Sequence, residues 1–537
     1  MKAFGNLQGN TVPVPRIDES HEWNRASTPT SANHNNLVMQ TQENTVPVTR
    51  NDGNRGRNMS FKPTAAYHAD MGDAAFRNQD FRVSVKHYMQ ALRLILPNPK
   101  DLLDEQPVDL IQCKKRCVAT STLLKVSQAF LHENEKEESR KSLQTAETLI
   151  RPVVDIKEDK ENGDIREIHM LQFSSFTLLS EVMQRTGDLH VLDGNITMAE
   201  QNYRKAVSWK RTSLTTMRAR ESIAAFFPDT REKTLELASQ LEKLGGVLQK
   251  RGDYRESVMA FGEALTVRQG CQQDCSHSEV LSLLDSLSQA YQDNGEYTSA
   301  LQCTDDLVRY YNREEGASQL LLKAIIRTSQ LYILNNDCTL AMNTATDALD
   351  MANSHGLGAD AAEQMAKVLE AQTNLDEAML WHERAYSLRS SFLAPSHDLV
   401  TKSAKEMARL ACKQGEYDKA KTLFKEIRDA MVKEYGGVEH PSVASLLDDL
   451  GCVYSEQEAF TMAMKCHMKA LAIRKRCQNN GRHSDAAVTM DKIAIIHLKA
   501  GRRSEAMEFF GEALSVLRNN HFCQSHPLVQ STIRDMS

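Results

Sequence analysis

Long apolar stretches are missing from this 537-residue chain. No run approaches the roughly 18 apolar residues that a membrane-spanning helix needs. The first residues, MKAFGNLQGNTVPVPR, also lack the apolar core of a signal peptide. The eleven cysteines are scattered and odd in number, which suits a reducing compartment better than a disulfide framework. We therefore expect a cytoplasmic protein that does not insert into membranes.

A dominant charge is also lacking. The 65 basic and 71 acidic residues leave a net charge of −6. No general attraction to nucleic acid or to acidic membrane surfaces follows from so even a balance. Nucleic acid is therefore not an expected partner.

Proline is absent from the middle of the chain. Five of the thirteen prolines lie in the first 63 residues, and none occurs between Pro228 and Pro395. Because proline removes a helix hydrogen bond and clashes with the preceding turn, this gap permits nearly continuous helix. Alternating β-branched runs, which are typical of strands, are also few. The sequence predicts an all-α fold.

Large apolar residues are scarce in residues 1–62, which are rich in Asn, Thr, Ser and Pro. Such a segment buries too little surface to offset the entropy of ordering, so we expect a disordered tail. It contains NTVPVPR at 10–16 and NTVPVTR at 44–50. Two interpretations stay open: local duplication in an unconstrained tail, or a doubled short linear motif in extended form.

From residue 63 onward the sequence repeats itself. The segments LGGVLQKRGDYRESVMAFGEAL (244–265) and MARLACKQGEYDKAKTLFKEI (407–427) share a small residue, a Gly–aromatic pair at a turn, and a second small residue. The two small residues let two consecutive helices approach closely. Ten units are recognised by the small residue in the second predicted helix: Ser84, Ser139, Ala199, Ser257, Ala300, Ala341, Ala378, Ala420, Ala463 and Ala506.

The series resembles the tetratricopeptide repeat family, a helix–turn–helix unit repeated in tandem. HPSVASLLDDLGCVY (440–454) and KALAIRKR (469–476), in units of about 42 residues, resemble the repeats of kinesin light chain. The resemblance implies a right-handed α-solenoid of about ten helical hairpins. Kinesin light chain binds its motor heavy chain through a heptad region, and residues 1–62 show no heptads. Kinesin heavy chain is therefore not an expected partner.

The spacing of the units divides the chain. Units before Ser257 stand 55–60 residues apart, whereas those after it stand 37–43 residues apart. We predict a tail at 1–62, N-terminal units with long connections at 63–234, a C-terminal array at 235–520 and a truncated capping segment at 521–537. In the third unit, a stretch with Gly187 and Gly194 is expected to separate the two helices.

Four histidines recur at intervals of 43 residues: His397, His440, His483 and His526. Histidine is a common metal ligand, but equivalent points of neighbouring hairpins lie two helices apart, which is about 16–20 Å. Metal ligation requires nitrogens about 2 Å from one ion. Since proline follows two of these histidines and suits the first position of a helix, we expect them to mark helix starts.

Other candidate chemistry is weak. Cys113 with Cys117, and Cys271 with Cys275, each place two thiols on one helical face, yet 154 residues separate the pairs. We expect packed or exposed thiols rather than a zinc site. GLGADA (356–361) follows a predicted helix instead of a strand, so it is an inter-unit turn rather than a dinucleotide loop. We expect no cofactor, no bound metal and no enzymatic activity.

Some members of the resembling family bind chaperone C-terminal carboxylates through Lys and Asn side chains. At the corresponding places this chain has His68, Asp73 and Ser127. An acidic residue would repel the anion, so this type of ligand is not expected.

The exposed face of each first helix forms the expected binding groove of the solenoid. Lys402, Lys405 and Arg409 share one helical face and are predicted to anchor an acidic stretch of a partner. Alternatively, they pair with acids of the neighbouring units. The candidate partner-binding residues are Asp285, Gln289, Asp360, Glu363, Lys402, Lys405, Arg409 and Asp448.

These features predict a non-enzymatic scaffold or adaptor that binds peptide segments of other proteins in its concave groove, as a kinesin-light-chain-like adaptor does. A second hypothesis is a regulatory or assembly subunit that docks folded partners on the outer surface.

Overall fold

The fold was analysed in a computed structural model, which describes residues 63–97, 110–154, 156, 165–219, 231–271, 277–313, 318–355, 358–437, 439–477, 484–519 and 526–536. Within these ranges there are 21 helices and no strands, which confirms the all-α prediction. None of the helices in this part of the chain is long and apolar enough to cross a membrane. The predicted tail, with its two NTVPV segments, lies outside the described residues.

Twenty of the helices form ten hairpins in chain order. Hairpins one to five are α1 (Ala65–Arg77) and α2 (Phe81–Ile95), α3 (Leu110–His132) and α4 (Lys136–Val154), α5 (Ile165–Leu192) and α6 (Ile196–Ala219), α7 (Arg231–Arg251) and α8 (Tyr254–Gly270), and α9 (His277–Asp293) and α10 (Tyr297–Arg313). Hairpins six to ten are α11 (Ser318–Leu334) and α12 (Cys338–His355), α13 (Gly358–Ala371) and α14 (Leu375–Ser390), α15 (Asp398–Lys413) and α16 (Tyr417–Glu434), α17 (Pro441–Glu456) and α18 (Phe460–Cys477), and α19 (Ser484–Lys499) and α20 (Arg503–Asn519). A single helix, α21 (Pro527–Met536), packs on hairpin ten.

The ten small residues that define the units all lie at helix crossings. Each is 0% exposed. Five positions before each of them, the hairpin turn has a residue with positive φ. Only five of these turn residues are glycines; the others are Gln79, Asn134, Asn336, Thr373 and Glu458. The small residue of the second helix is therefore a more constant marker of a hairpin than the turn glycine.

Aromatic rings fill the space left by glycine in the first helix. In four hairpins a Cβ added to this glycine would stand 2.5–2.9 Å from a ring atom 16 positions later. The pairs are Gly72 with Tyr88, Gly187 with Tyr203, Gly245 with Phe261 and Gly451 with His467. The prediction that Gly187 lies between helices is wrong: α5 continues through Gly187, where the missing side chain leaves room for the ring of Tyr203. Gly194 does lie in the turn.

Three of the four periodic histidines cap helices. In each case the imidazole Nδ1 accepts a hydrogen bond of 3.2 Å from the backbone N–H two residues later. The pairs are His397 with Leu399, His440 with Ser442 and His526 with Leu528. His483 lies outside the described residues. The histidines that recur every 43 residues are thus N-cap residues at these three helices. This confirms the prediction that they mark helix starts.

The cysteine pair of the second hairpin belongs to its core. Cys113 and Cys117 are 0% and 2% exposed, and burial raises the pKa of the Cys117 thiol to about 12. Such a thiol stays protonated and inert. Cys275 lies outside the described residues. No group of three metal-ligating side chains occurs among the residues that the structure describes.

Candidate partner-binding surface

First helices lie on the inner side of the array. Besides the contact between each second helix and the next first helix, neighbouring hairpins touch through their first helices, as α3 and α5, α11 and α13, and α15 and α17 do. An array of hairpins curves towards the side on which its elements lie closest together. The first helices therefore present the inner surface, which is where the sequence placed the groove.

Ion pairs connect the first helices of neighbouring hairpins along this surface. Each joins an acid on one first helix to a base on the next or the preceding one. The pairs are Asp73–Lys125, Asp188–Lys243, Asp285–Arg327, Glu370–Arg409, Asp449–Lys405 and Glu456–Lys499. These charged side chains of the first helices are thus positioned to stabilise contacts between hairpins.

Lys402, Lys405 and Arg409 lie together on α15, as their spacing predicts, and each one has an acidic neighbour. The Lys402 ammonium lies 3.1 Å from Glu363 of hairpin seven. The Arg409 guanidinium lies 2.6 Å from Glu370 of the same hairpin. Lys405 reaches the other way, 2.9 Å to Asp449 of hairpin nine. Lys402 and Arg409 nevertheless keep 53% and 43% of their side chains exposed.

Two buried carboxylates organise the bases of this region. The side chain of Glu363 is 5% exposed and contacts three cations: Lys367 at 2.8 Å, Arg389 at 2.7 Å and Lys402 at 3.1 Å. Burial acts to raise the pKa of Glu363, but the hydrogen bonds and charges of Lys367 and Arg389 outweigh it and lower this pKa to about 2. Glu363 is therefore ionised and enclosed by bases.

Glu370 repeats this arrangement about two turns further along the same face of α13. Its side chain is 8% exposed and contacts Arg409 at 2.6 Å, Lys413 at 3.3 Å and His382 at 2.9 Å. Burial again opposes ionisation, yet hydrogen bonds from His382 and Arg409 lower the pKa of Glu370 to about 2. Sequence reasoning missed Glu370, although its spacing of seven from Glu363 places both on one face of a helix.

The remaining predicted residues have different positions. Asp360 is 64% exposed and pairs with Arg389. Asp285 is 59% exposed and pairs with Arg327, whose guanidinium also donates to the Gln289 carbonyl oxygen at 2.8 Å. The three predicted residues therefore lie on the accessible surface, but on two separate hairpins: Asp285 and Gln289 on hairpin five, and Asp360 on hairpin seven.

Asp448 is not a groove residue. It is 2% exposed, accepts a hydrogen bond of 2.8 Å from Thr489 and also contacts Arg474 and, at 2.9 Å, His467. Burial opposes ionisation, but the hydrogen bond from His467 and the charge of Arg474 lower the pKa of Asp448. The helix is rotated so that Asp449, the next residue, faces Lys405 instead.

Arg474 belongs to a recurring set of buried bases that the sequence analysis missed. Four second helices carry a base eleven positions after the crossing residue: Lys210, Arg268, Arg389 and Arg474. They are 1–7% exposed. Three of them bond an acid on their own first helix and a polar group on the next first helix: Arg268 with Glu242 and Glu279, Arg389 with Glu363 and Ser403, and Arg474 with Asp448 and Thr489. Lys210 bonds Glu236 of the next first helix. We call these residues the inter-hairpin clips.

The first hairpins carry an acid where a carboxylate-binding surface needs a base. Asp73 accepts a hydrogen bond of 2.6 Å from the Tyr88 hydroxyl and ion-pairs with Lys125 at 2.7 Å. Asp188, Tyr203 and Lys243 repeat the arrangement with the same distances. The lysine in each group is already neutralised within the chain.

Comparisons with known proteins match the C-terminal hairpins. Two family models described as tetratricopeptide repeat match residues 399–476 and 486–527. The tetratricopeptide repeat protein 19 homolog, mitochondrial, of Drosophila melanogaster is 28% identical over 98 residues. This match covers 18% of the chain and 26% of that protein, about a quarter of its length.

Solved structures with similar helical arrays include kinesin-light-chain TPR-like repeats of Podosopora anserina, at 18% identity and a TM-score of 0.33, covering 39% of this chain and 100% of that one. BtubC (BKLC) from P. vanneervenii is 18% identical, with a TM-score of 0.35, over 41% of this chain and 90% of that one. Aspartyl phosphate phosphatase F from Bacillus subtilis is 11% identical, with a TM-score of 0.40, over 74% of this chain and 94% of that one. The hairpins between residues 399 and 527 are tetratricopeptide repeats.

Proposed function

We propose that the chain is a non-enzymatic scaffold that binds acidic peptide segments of partner proteins on the inner surface of hairpins seven and eight. The observation that carries this proposal is the layering of charge at Glu363 and Glu370. Both carboxylates are buried, whereas the bases around them reach solvent: Lys402, Arg409 and Lys413 are 53%, 43% and 50% exposed. Among the side chains that contact these two carboxylates, the solvent-exposed ones are therefore bases.

A partner carboxylate can join these bases at low cost. The ammonium group of a lysine has three hydrogen-bond donors, and its contact with Glu363 or Glu370 does not use all of them. Lys402, Arg409 and Lys413 are about half exposed, so each can contact an incoming acid while it keeps its contact with Glu363 or Glu370. We expect an extended segment with several acidic residues, because the bases are spread along α15 instead of converging on one point.

The repeat architecture supports the proposed adaptor role. A tandem array offers a long inner surface that accommodates extended segments. A chain that binds such segments links proteins to one another, as a kinesin-light-chain-like adaptor would.

Docking of a folded partner on the outer surface is the second candidate. Leu380 on α14 is 64% exposed and Phe392, in the following connection, is 88% exposed. Large apolar side chains with this exposure are frequent at interfaces between folded proteins.

A binding assay separates the two candidates. We expect a fluorescein-labelled glutamate-rich peptide to bind the full chain, and a glutamine-rich peptide of equal length not to bind. Replacing Lys402, Lys405 and Arg409 together by glutamine should weaken binding by about tenfold or more, because the cationic layer is lost. Affinity for the parent chain should fall as NaCl rises, since the contacts are exposed.

The matched control lies on the outer helix of the same hairpin. Replacing Lys419, Lys425 and Arg428 of α16 by glutamine removes the same amount of positive charge from the outer side of the hairpin. This control should bind like the parent chain. Equal loss in both variants would show a general charge effect, and binding that salt does not change would exclude the cationic inner surface. If Leu380→Ser and Phe392→Ser abolish capture of a folded partner instead, the outer surface is the functional one.

A further inference from the structure

The turn of hairpin four differs from the four other turns with glycine at the same position. Gly194, Gly252, Gly295, Gly415 and Gly501 have φ between +74° and +93°. At all of them except Gly252, a Cβ would meet nothing within 4 Å. At Gly252 it would stand 2.9 Å from the Cα atom of His526. Residues that are 274 positions apart in sequence are thus in direct contact.

The hairpin-four side of this contact is fixed to its neighbours. Arg251, next to Gly252, ion-pairs with Asp253 in the same turn and with Glu200 on α6. Glu200 is 5% exposed and also pairs with Arg204 at 2.7 Å. The turn is therefore held against hairpin three and does not move as an independent loop.

The other side is equally anchored. His526 caps α21 through its Nδ1, and α21 is seated on hairpin ten by Val529 and Thr532, which are 3% and 2% exposed. His397, the equivalent cap at hairpin eight, is exposed to solvent, whereas His526 is partly buried and its burial lowers the pKa of the imidazole. His526 is thus a helix cap on one side and a contact surface on the other.

We propose that His526 and α21 form a latch that rests on the turn of hairpin four, closes hairpins four to ten into a ring, and slows the entry of an extended partner segment to the inner surface. The two anchored sides of the contact support the closed ring. The gating role rests on the proposed function, because it concerns access to the same inner surface.

Gly252 makes the latch testable with a matched pair of variants. Gly252→Ala adds a methyl group against the backbone of His526, which rotation of a side chain cannot relieve. Gly415→Ala adds the same methyl group at a similar positive φ of +80° in open space. Both variants strain their turns in the same way, so the difference between them isolates the latch.

The first measurement concerns closure and needs no ligand. With the full-length chain, we expect Gly252→Ala to lower hydrogen-exchange protection of residues 526–536 by about tenfold and to increase the radius of gyration in small-angle X-ray scattering. Gly415→Ala should leave both values at those of the parent chain. Equal values in the two variants would overturn the latch. If Gly252→Ala is too unstable to measure, truncation after residue 519 replaces it: an unchanged distance distribution between hairpins four and ten would overturn the ring.

The second measurement concerns gating, with the glutamate-rich peptide as the probe. We expect the peptide to associate faster with Gly252→Ala than with the parent chain and Gly415→Ala. If scattering shows that Gly252→Ala is open but the peptide associates with it no faster than with the parent chain, the gating role is wrong, while the latch contact is still supported. If none of the three chains binds the peptide, the proposed function and the gating role both fail, while scattering and exchange still decide whether the ring is closed.

Discussion

Glycine and aromatic rings set the distance between the helices of four hairpins. In α7, Gly245 lies under the ring of Phe261, and a Cβ there would come within 2.9 Å of a ring carbon. Its neighbour Gly246 has nothing within 4 Å of its Cβ position. Two adjacent glycines of one helix therefore have opposite roles: Gly245 allows close packing, whereas Gly246 only lowers helix propensity.

Replacing each of these glycines by alanine should give opposite results. We expect Gly245→Ala to reduce the free energy of unfolding by about 1–3 kcal/mol, because it overpacks the hairpin. Gly246→Ala should increase it by about 0.5–1 kcal/mol through helix propensity. Thermal unfolding followed by circular dichroism checks both. A stabilised Gly245→Ala variant would show that the Phe261 ring moves aside freely.

The buried acid Glu370 gives this region a defined response to pH. Its pKa is lowered from 4.5 to about 2, so the folded state binds its proton more weakly than the unfolded state. Its stabilising contribution is therefore complete above pH 4.5 and is lost as the pH falls from 4.5 towards 2. The melting temperature of the parent chain should fall more steeply over this range than that of Glu370→Gln. Parallel curves would contradict the assigned ion pairs with Arg409 and Lys413.

Hairpins could be predicted from the sequence, whereas the partners of their charged residues could not. Small residues recur at crossings because two helices cannot approach otherwise, so all ten hairpins are visible in one sequence. Charged side chains are longer and reach several neighbours. The sequence therefore predicted Asp448 at the inner surface. In the structure Asp448 is buried, and the next residue, Asp449, faces Lys405 there instead. It also missed Glu370 and the inter-hairpin clips, because both depend on contacts between hairpins.

The clip at Arg474 should matter more than the exposed base beside it. Arg474→Met leaves Asp448 buried without its guanidinium partner, and breaking such a pair costs about 3–5 kcal/mol. Arg476 pairs with Glu439 on the surface and is 63% exposed, so Arg476→Met should cost at most about 1 kcal/mol. Denaturant unfolding of the two variants provides the comparison. Similar losses would mean that the clip does not couple hairpins nine and ten.

Stability in the whole molecule is distributed along the array, because each hairpin is supported mainly by its neighbours. Hydrophobic clusters accordingly follow one another along the chain, from hairpin two to the last hairpin and α21. After hairpin ten the chain continues with α21, which covers the apolar side of this hairpin. Loss of this helix should therefore act first on the end of the array and only weakly on hairpins further away.

Deletion of residues 520–537 tests this distribution. We expect hydrogen-exchange protection of residues 487–518 to fall, because Leu517 and its neighbours in hairpin ten lose their cover, while protection within hairpins seven and eight stays close to that of the parent chain. Val529→Ser should give a smaller change of the same kind, since Val529 of α21 is 3% exposed and packs against hairpin ten. Gln530→Ser, at the exposed next position, is the control and should have no effect. Unchanged protection of 487–518 after the deletion would show that α21 does not cap the array, and an equal fall in every hairpin would show that the array unfolds as one unit.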